Sequence, residues 1–194
     1  MKTIKIKLKT SNSVLYSKAW KDIKGQWWIS IGAMLLVWLI TYLSNDIDPF
    51  FALLITLPLQ IGYMQFWLNV SRRGNPKITD LLKGFYSYLL ALGANILVGL
   101  KVLIGFVLLI IPGIYWALSY SMVNYIIAEN PNIGINQSLV NSRMMMDGNK
   151  WKLFNFCLRA FVVVLACILT LGIGLFWGIP WISVAFAKFY DDIK

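Results

Sequence analysis

Long apolar runs, separated by short segments that carry most of the charge, restrict how this chain can fold more than any other feature. The runs cover residues 26–44, 50–70, 89–111, 112–128, 153–171 and 172–188. Each has about the 17–25 residues that a helix needs to cross a hydrocarbon layer of roughly 30 Å. Hydrophobic residues make up 59% of the chain and charged residues 13%, against roughly 45–50% and about 25% in soluble domains. The sequence therefore predicts an all-α integral membrane protein with six transmembrane helices.

The charges between the runs predict an orientation, because segments rich in Lys and Arg stay in the cytoplasm. Basic residues cluster in four segments: Lys2, Lys5, Lys7, Lys9, Lys18, Lys21 and Lys24; Arg72, Arg73, Lys77 and Lys83; Arg143, Lys150 and Lys152; Lys188 and Lys194. The connections at 45–49, 112–113 and 172–174 carry no basic residue. Six spans, with both termini in the cytoplasm of a bacterial cell, satisfy every connection.

The net charge of +10 is also compatible with a nucleic-acid partner, so the distribution of the charge has to decide. Lys and Arg lie between apolar runs, and many of the nine Trp and nine Tyr lie beside the same polar segments. This pattern is typical of anchoring to anionic lipid and of interfacial aromatic belts. We therefore expect membrane lipids as partners and no nucleic acid.

Three hairpins alternate with three cytoplasmic segments, and this order favours an internal repeat. Each unit opens on a segment that ends at a glycine followed by aromatic residues, namely Gly25, Gly84 and Gly148. The second helix of each hairpin carries a proline after Leu or Ile, namely Pro58, Pro112 and Pro180. We predict a single membrane domain over 1–194, with units at 13–70, 79–128 and 135–190. Alternatively, these glycines and prolines are only the ones common in membrane helices generally.

The segments before the glycines are amphipathic. In the first, one helical face can hold Val14, Leu15, Ala19, Trp20 and Ile23 while the lysines point away; in the third, a similar stripe holds Ile135, Leu139, Val140 and Met144. Such helices either lie along the cytoplasmic leaflet as interfacial elements or serve as connectors packed on the bundle.

Several ordered motifs in the second half of the chain resemble a bacterial membrane family catalogued as a domain of unknown function, number 975. They are IPGI at 111–114, AENP at 128–131, SR at 142–143 with GNKWK at 148–152, LTLGIG at 169–174 and FAKFYDD at 186–192. Weaker matches occur at 25–27 and 78–85. The resemblance implies a multi-pass bacterial membrane protein and supplies no known activity or catalytic residue.

Two cations, Lys101 and Arg159, lie inside the predicted spans, where an ionised side chain is costly. Arg159 either snorkels to the cytoplasmic boundary or binds a lipid phosphate or another anionic ligand. Lys101 is deeper. Three interpretations of Lys101 are open. Its aliphatic chain can extend to the outer interface, or its ammonium group can bind backbone carbonyls freed at Pro58 or Pro112. Alternatively, it is a functional group in a cavity.

The residues that most catalytic and metal sites need are missing from the sequence. There is no His, the commonest general base and metal ligand. The paired carboxylates, Asp46 with Asp48 and Asp191 with Asp192, lie in short segments where solvation is the usual role. Cys157 and Cys167 are ten residues apart, about 15 Å on a helix and too far for a disulfide. We expect no enzyme activity, no cofactor and no metal.

Two functional hypotheses remain from the sequence. The first is a non-enzymatic membrane protein that binds lipid or an amphipathic ligand in an accessory, envelope-stress or peptide-resistance role. The second is a small transporter or channel subunit for an anionic or amphipathic solute, with Pro58, Pro112 and Pro180 as kinks or gates and Lys101 attracting the anion. Gly174 and Gly178 indicate close helix packing, either within the bundle or against a second copy or another membrane protein.

Overall fold

The computed structural model describes residues 10–47 and 49–194, and the regular elements within these ranges are helices. They are α1 (Asn12–Ile23), α2 (Trp27–Ile47), α3 (Pro49–Ser71), a 3₁₀ helix (Ile78–Ser87), α4 (Tyr88–Leu108), α5 (Ile110–Tyr120), α6 (Val123–Glu129), α7 (Ile135–Met146), α8 (Lys150–Leu169) and α9 (Leu175–Ile193). The all-α prediction is confirmed for this part of the chain. Lys2, Lys5, Lys7, Lys9 and Asp48 lie outside the described residues.

Within the part of the chain that the structure describes, four helical segments are long and apolar enough to cross a membrane, namely Trp27–Ser44, Ile78–Leu108, Ile110–Glu129 and Lys150–Leu169. They indicate a protein of the membrane class. The other two long helices, α3 and α9, form the centre of the bundle, where Trp67 and Phe189 are fully buried. A central helix packs mostly against protein, and small or polar residues are usual at such contacts.

The fourth predicted span, 112–128, is two helices in the structure. A single extended residue, Leu109, joins α4 to α5, and α5 then ends at Tyr120 before α6 begins. The Ser142 side chain of α7 fills the interruption. Its hydroxyl donates to the Ser119 carbonyl oxygen at 3.0 Å and accepts from the Met122 backbone N–H at 3.3 Å. These bonds satisfy backbone groups that the interruption would otherwise leave without partners.

The α4–α5 hairpin runs obliquely to α8 and α9. The Lys150 ammonium group lies 4.3 Å from the centre of the Tyr115 ring, and Lys152 pairs with Asp192. Arg72 pairs with both Glu129 and Asp191, and Asp191 is the neighbour of Asp192 in sequence. A hairpin parallel to α8 would separate Tyr115 from Glu129 by about 20 Å along the bundle axis, too far for all these contacts to form. α5 therefore crosses the beginning of α8.

The 3₁₀ helix, which ends the segment before the second hairpin, packs along α3. Asn69 Nδ2 of α3 donates to the Asp80 carboxylate at 2.8 Å. Further along, the backbone of the 3₁₀ helix is in contact with the backbone of α3. A Cβ atom at Gly62 would lie 1.9 Å from the Leu81 carbonyl oxygen, and one at Gly84 would lie 1.8 Å from that of Pro58. The segment therefore descends along α3 as far as Pro58.

Both amphipathic helices pack on the bundle, and each predicted stripe is divided. In α1, Leu15, Ala19 and Ile23 are buried as predicted, whereas Val14 and Trp20 are each 41% exposed. In α7, Leu139 is buried with Ser138 and Ser142, whereas Val140 and Met144 are 50% and 69% exposed. Each stripe is therefore only partly buried against the bundle, and in α7 serines take the inward positions beside Leu139.

The predicted glycines differ in their local roles. Gly25 and Gly148 follow α1 and α7 in the left-handed conformation, with φ of 88° and 67°, as is common after a helix end. Gly84 instead lies within the 3₁₀ helix. A Cβ atom at Gly178 would lie 2.6 Å from the Cys167 sulfur. This glycine therefore serves packing between α8 and α9 of one chain.

Candidate anion-binding cleft

An open cleft of about 730 Å³ lies between α1, α8 and α9. One wall is α1, with Ser13, Tyr16 and Ser17, and the other is α8, with Leu158, Arg159 and Val162, while Trp181 of α9 lies between them. Hydroxyl groups, the Asn155 amide and a guanidinium group thus line a cleft whose remaining surface is mostly apolar. The cleft is shaped for a ligand with one polar end and one apolar end.

Tyr16 holds the two walls together. Its ring stacks on Phe156 with the centroids 4.6 Å apart, and its hydroxyl donates to the Phe156 carbonyl oxygen at 3.1 Å. Trp181 Nε1 donates to the Tyr16 carbonyl oxygen at 2.9 Å. Burial raises the pKa of the Tyr16 hydroxyl far above its ordinary value. It therefore stays a neutral donor at every physiological pH.

Arg159 is the charged group of the cleft, and its side chain is exposed. Among the side chains that the structure describes, no carboxylate pairs with it, and the cleft lining contains no Asp or Glu. Nine residues separate Arg159 from Lys150 at the start of α8, about 13 Å along the helix. Helical side chains tilt toward the N-terminus of their helix. The guanidinium group is therefore directed back toward the beginning of α8.

Lys101 lies elsewhere, between α4 and α5. Its ammonium group is 3.4 Å from the Tyr120 hydroxyl and 5.0 Å from the centre of that ring. Its partner is thus a tyrosine and not a carbonyl freed at Pro58 or Pro112. The structure does not bring Lys101 and Arg159 into one site, because they line different pairs of helices.

The three predicted prolines occupy different positions. Pro58 and Pro180 lie inside α3 and α9, where each removes one helical hydrogen bond. Pro112 lies in the first turn of α5, where its missing N–H interrupts no such bond. Only Pro180 lies close in sequence to the cleft, since Trp181 follows it.

The sequence reasoning missed a cluster of ion pairs at one end of the bundle. Its contacts are Asp22 with Arg73 and Lys188, Glu129 with Arg72 and Lys194, Asp191 with Arg72, and Asp192 with Lys152. The sequence predicts a solvated side chain for Asp192, yet this side chain is only 7% exposed. The available signal was that six of the eight acidic residues lie in or at the edge of the predicted cytoplasmic segments, where most of the Lys and Arg residues also lie.

Two carboxylates of this ion-pair cluster remain charged although they are largely buried. Burial would raise the pKa of Asp22, but hydrogen bonds from Lys188 and Arg73 outweigh it and hold the pKa below its usual value. Burial likewise opposes the ionisation of Asp192, and the bonds from Lys152 and Thr10 lower its pKa. Asp22 and Asp192 are therefore ionised at neutral pH, and the ion pairs of the cluster link α1, α6, α8 and α9 with the residues that follow α3.

A bundle that contains membrane-length apolar helices and a cleft lined by an arginine defines a helical protein of the membrane class. Residues 92–194, more than half of the chain, match a family described as "Protein of unknown function (DUF975)". The chain belongs to this family, and the resemblance noted from the motifs is confirmed. No curated protein and no solved structure matches the chain. The matched range includes Arg159 and Trp181 but not α1, the other wall of the cleft.

Proposed function

We propose that this chain is a non-enzymatic, multi-pass protein of the bacterial cytoplasmic membrane that binds an anionic lipid headgroup in the Arg159 cleft. The observation that carries the proposal is a guanidinium group without a described carboxylate partner on the wall of an open, mostly apolar cleft. Binding of this kind suits an accessory role in the envelope, such as a response to stress or resistance to peptides.

The chemistry of the cleft favours phosphate. A guanidinium group presents a planar set of donors that matches a phosphate with two parallel hydrogen bonds. Ser13 and Ser17 add hydroxyl donors on the opposite wall. Because an unpaired arginine in hydrocarbon is costly, a bound anion also stabilises the cleft itself.

The same lining favours anionic over zwitterionic lipids. A zwitterionic headgroup carries an ammonium group as well as a phosphate, and that ammonium needs a carboxylate or a similar acceptor. The cleft lining has no Asp or Glu to supply one. A lipid with a phosphate and no amine, such as phosphatidylglycerol, therefore fits better than phosphatidylethanolamine.

The first test is lipid binding by the purified protein. We expect Arg159→Leu to weaken phosphatidylglycerol binding by roughly tenfold or more, since hydrogen bonds to a charged group contribute about 1.5–3 kcal/mol. Arg159→Lys should retain part of the affinity, because it keeps the charge and loses the planar fork. Native mass spectrometry or lipid titration in nanodiscs would measure the change.

Two matched variants serve as controls for lipid binding. Arg143→Leu removes an exposed arginine on α7, and Lys101→Leu removes the cation that lies between α4 and α5. Both should bind phosphatidylglycerol as the wild type does. Unchanged binding by Arg159→Leu would refute the proposal. Loss of anion flux in proteoliposomes through Lys101→Leu alone would instead favour a transporter or channel subunit.

We further propose six spans in three related hairpins, with both termini in the cytoplasm. The ion-pair cluster supports this orientation, because its contacts join all four basic segments of the chain. The residues in contact come from 18–24, 72–83, 143–152 and 188–194. Charged groups from these regions therefore meet at one end of the bundle, as a common cytoplasmic location requires.

Cysteine labelling tests the orientation. In a background without Cys157 and Cys167, a cysteine at Asp46 or Ile111 should react with an impermeant thiol reagent added outside, and one at Lys77 should not. Protection of Ile111 with labelling of Asp46 would mean that the oblique α4–α5 hairpin enters the membrane without crossing it. Labelling of Lys77 from outside would overturn the orientation.

A further inference from the structure

We infer that the N-terminal end of α1 is a latch that sets the width of the open Arg159 cleft, and that the Asp192 carboxylate holds this latch in its narrow position. The inference rests on the proposed function, since it assigns a control to the same lipid site. It follows from the way in which α9 joins the starts of α1 and α8, the two walls of the cleft.

Asp192 joins the beginnings of both cleft walls. Its carboxylate accepts the Thr10 backbone N–H at 3.2 Å and the Thr10 hydroxyl, just before α1. It also accepts the Lys152 ammonium group, in the first turn of α8. Asn12 Nδ2 adds a bond to the Lys152 carbonyl oxygen at 2.9 Å. One carboxylate on α9 thus ties the start of α1 to the start of α8.

The other end of α1 is held to different helices. Ile23 is fully buried, and Asp22 pairs with Lys188 of α9 and with Arg73 beyond α3. The middle of α1 also contacts α9, through the Trp181 bond to Tyr16. The contact between α1 and α8 is called the seam here. It is made by the hydrogen bonds of Asn12 and Tyr16 to α8 and by the stack of Tyr16 on Phe156. The seam can therefore open while α1 stays attached to α9.

An incoming anionic headgroup can release this latch by ion exchange. Lys152 and Arg159 are seven residues apart on α8, so they lie on the same helical face two turns from each other. A phosphate that enters the cleft from the side nearest the start of α8 comes close to Lys152 and competes with Asp192 for its ammonium group. When Lys152 changes partner, Asp192 loses its charged contact and its hold on Thr10 weakens.

The experiment measures the distance between α1 and α8 directly, first without lipid and then with it. Spin labels at Ser13→Cys and Asn155→Cys, in the full chain without its native cysteines, report the distance between α1 and α8. We expect Asp192→Asn to lengthen or broaden this distance in detergent, and vesicles of phosphatidylglycerol to do the same to the wild-type chain. Exchange of labelled phosphatidylglycerol should become roughly tenfold faster in Asp192→Asn, as the loss of a charged hydrogen bond predicts.

Asp191→Asn is the matched control, because its carboxylate pairs with Arg72, and the variant should leave the distance unchanged. If Asp192→Asn does not fold, Tyr16→Phe removes the hydroxyl bond to Phe156 and keeps the ring stack, and it should give the same change at smaller size. An unchanged distance in whichever of the two variants folds overturns the latch. If Arg159→Leu still binds lipid while the distance responds to Asp192→Asn, the proposed function fails and the latch stands.

Discussion

Replacing Gly84 with alanine should destabilise the protein by about 3 kcal/mol or more, since over-packing costs 1–3 kcal/mol even where flexible side chains can yield. At Gly84 the atoms that an added Cβ would meet belong to the backbone, which cannot move aside as a flexible side chain can. The new Cβ would lie 1.8 Å from the Pro58 carbonyl oxygen and 2.6 Å from the Gly62 nitrogen. Gly62→Ala should be comparable, with its Cβ 1.9 Å from the Leu81 carbonyl oxygen. Thermal unfolding in detergent would measure both effects.

The chain supplies its own controls for these two substitutions. Gly32 and Gly99 lie inside α2 and α4, and a Cβ at either position would have no heavy atom within 4 Å. Gly32→Ala and Gly99→Ala should leave stability unchanged or raise it by up to about 1 kcal/mol, because alanine favours a helix. If Gly84→Ala melted at the same temperature as Gly99→Ala, the 3₁₀ helix could not lie against α3 as described.

The Gly84 contact also changes how Pro58 should be interpreted. The sequence offered Pro58 as a kink or gate, because a proline removes a hydrogen bond inside a helix. In the structure, the 3₁₀ helix lies against α3 at Pro58 and Gly62. Movement of α3 at Pro58 would therefore have to carry the 3₁₀ helix with it. Gly84→Ala consequently tests the packing around Pro58 as well as the stability of the fold.

The helical, membrane-type character of the chain could be predicted because apolar run length is a local property of the sequence. The first predicted run, 26–44, corresponds to α2 at Trp27–Ile47, and the fifth, 153–171, to α8 at Lys150–Leu169. The interruption between Tyr120 and Val123 could not be predicted, because no Gly or Pro marks it. It depends on Ser142, which lies about 20 residues later in the sequence and packs there only in the folded chain.

Only one wall of the candidate site, the one with Arg159, could be predicted from the sequence. Arg159 stands out because a charged residue within an apolar run is unusual. The opposite wall, with Ser13, Tyr16 and Ser17, lies about 140 residues earlier. Serines and a tyrosine are common on amphipathic helices, so their presence does not indicate which helix they will pack against. Lys101 stood out for the same reason as Arg159, but its partner Tyr120 depends on the pairing of α4 with α5.

Removal of the Asp22 charge should produce the other large loss of stability. The Asp22 and Lys188 side chains are only 9% and 15% exposed, and Arg73 also pairs with Asp22. We expect Asp22→Ala to destabilise the protein by about 3–5 kcal/mol, because breaking a buried pair leaves the partner charge uncompensated. The matched control is Asp147→Asn. That carboxylate is 88% exposed and lies 4.0 Å from Lys150, so the change should stay below about 1 kcal/mol.

A double-mutant cycle separates this charge effect from simple loss of packing. Lys188→Met should be destabilising alone, because it leaves Asp22 with Arg73 only, while the pair Asp22→Asn with Lys188→Met should cost less than the sum of the two. The lowered pKa of Asp22 adds a dependence on pH. Its contribution is present above the ordinary carboxyl pKa and is lost as pH falls through the lower folded value. The stability difference between wild type and Asp22→Asn should therefore be constant from pH 7 to 5 and shrink only in stronger acid. A strictly additive cycle, with a difference that does not change in acid, would show that Asp22 acts by packing and not through its charge.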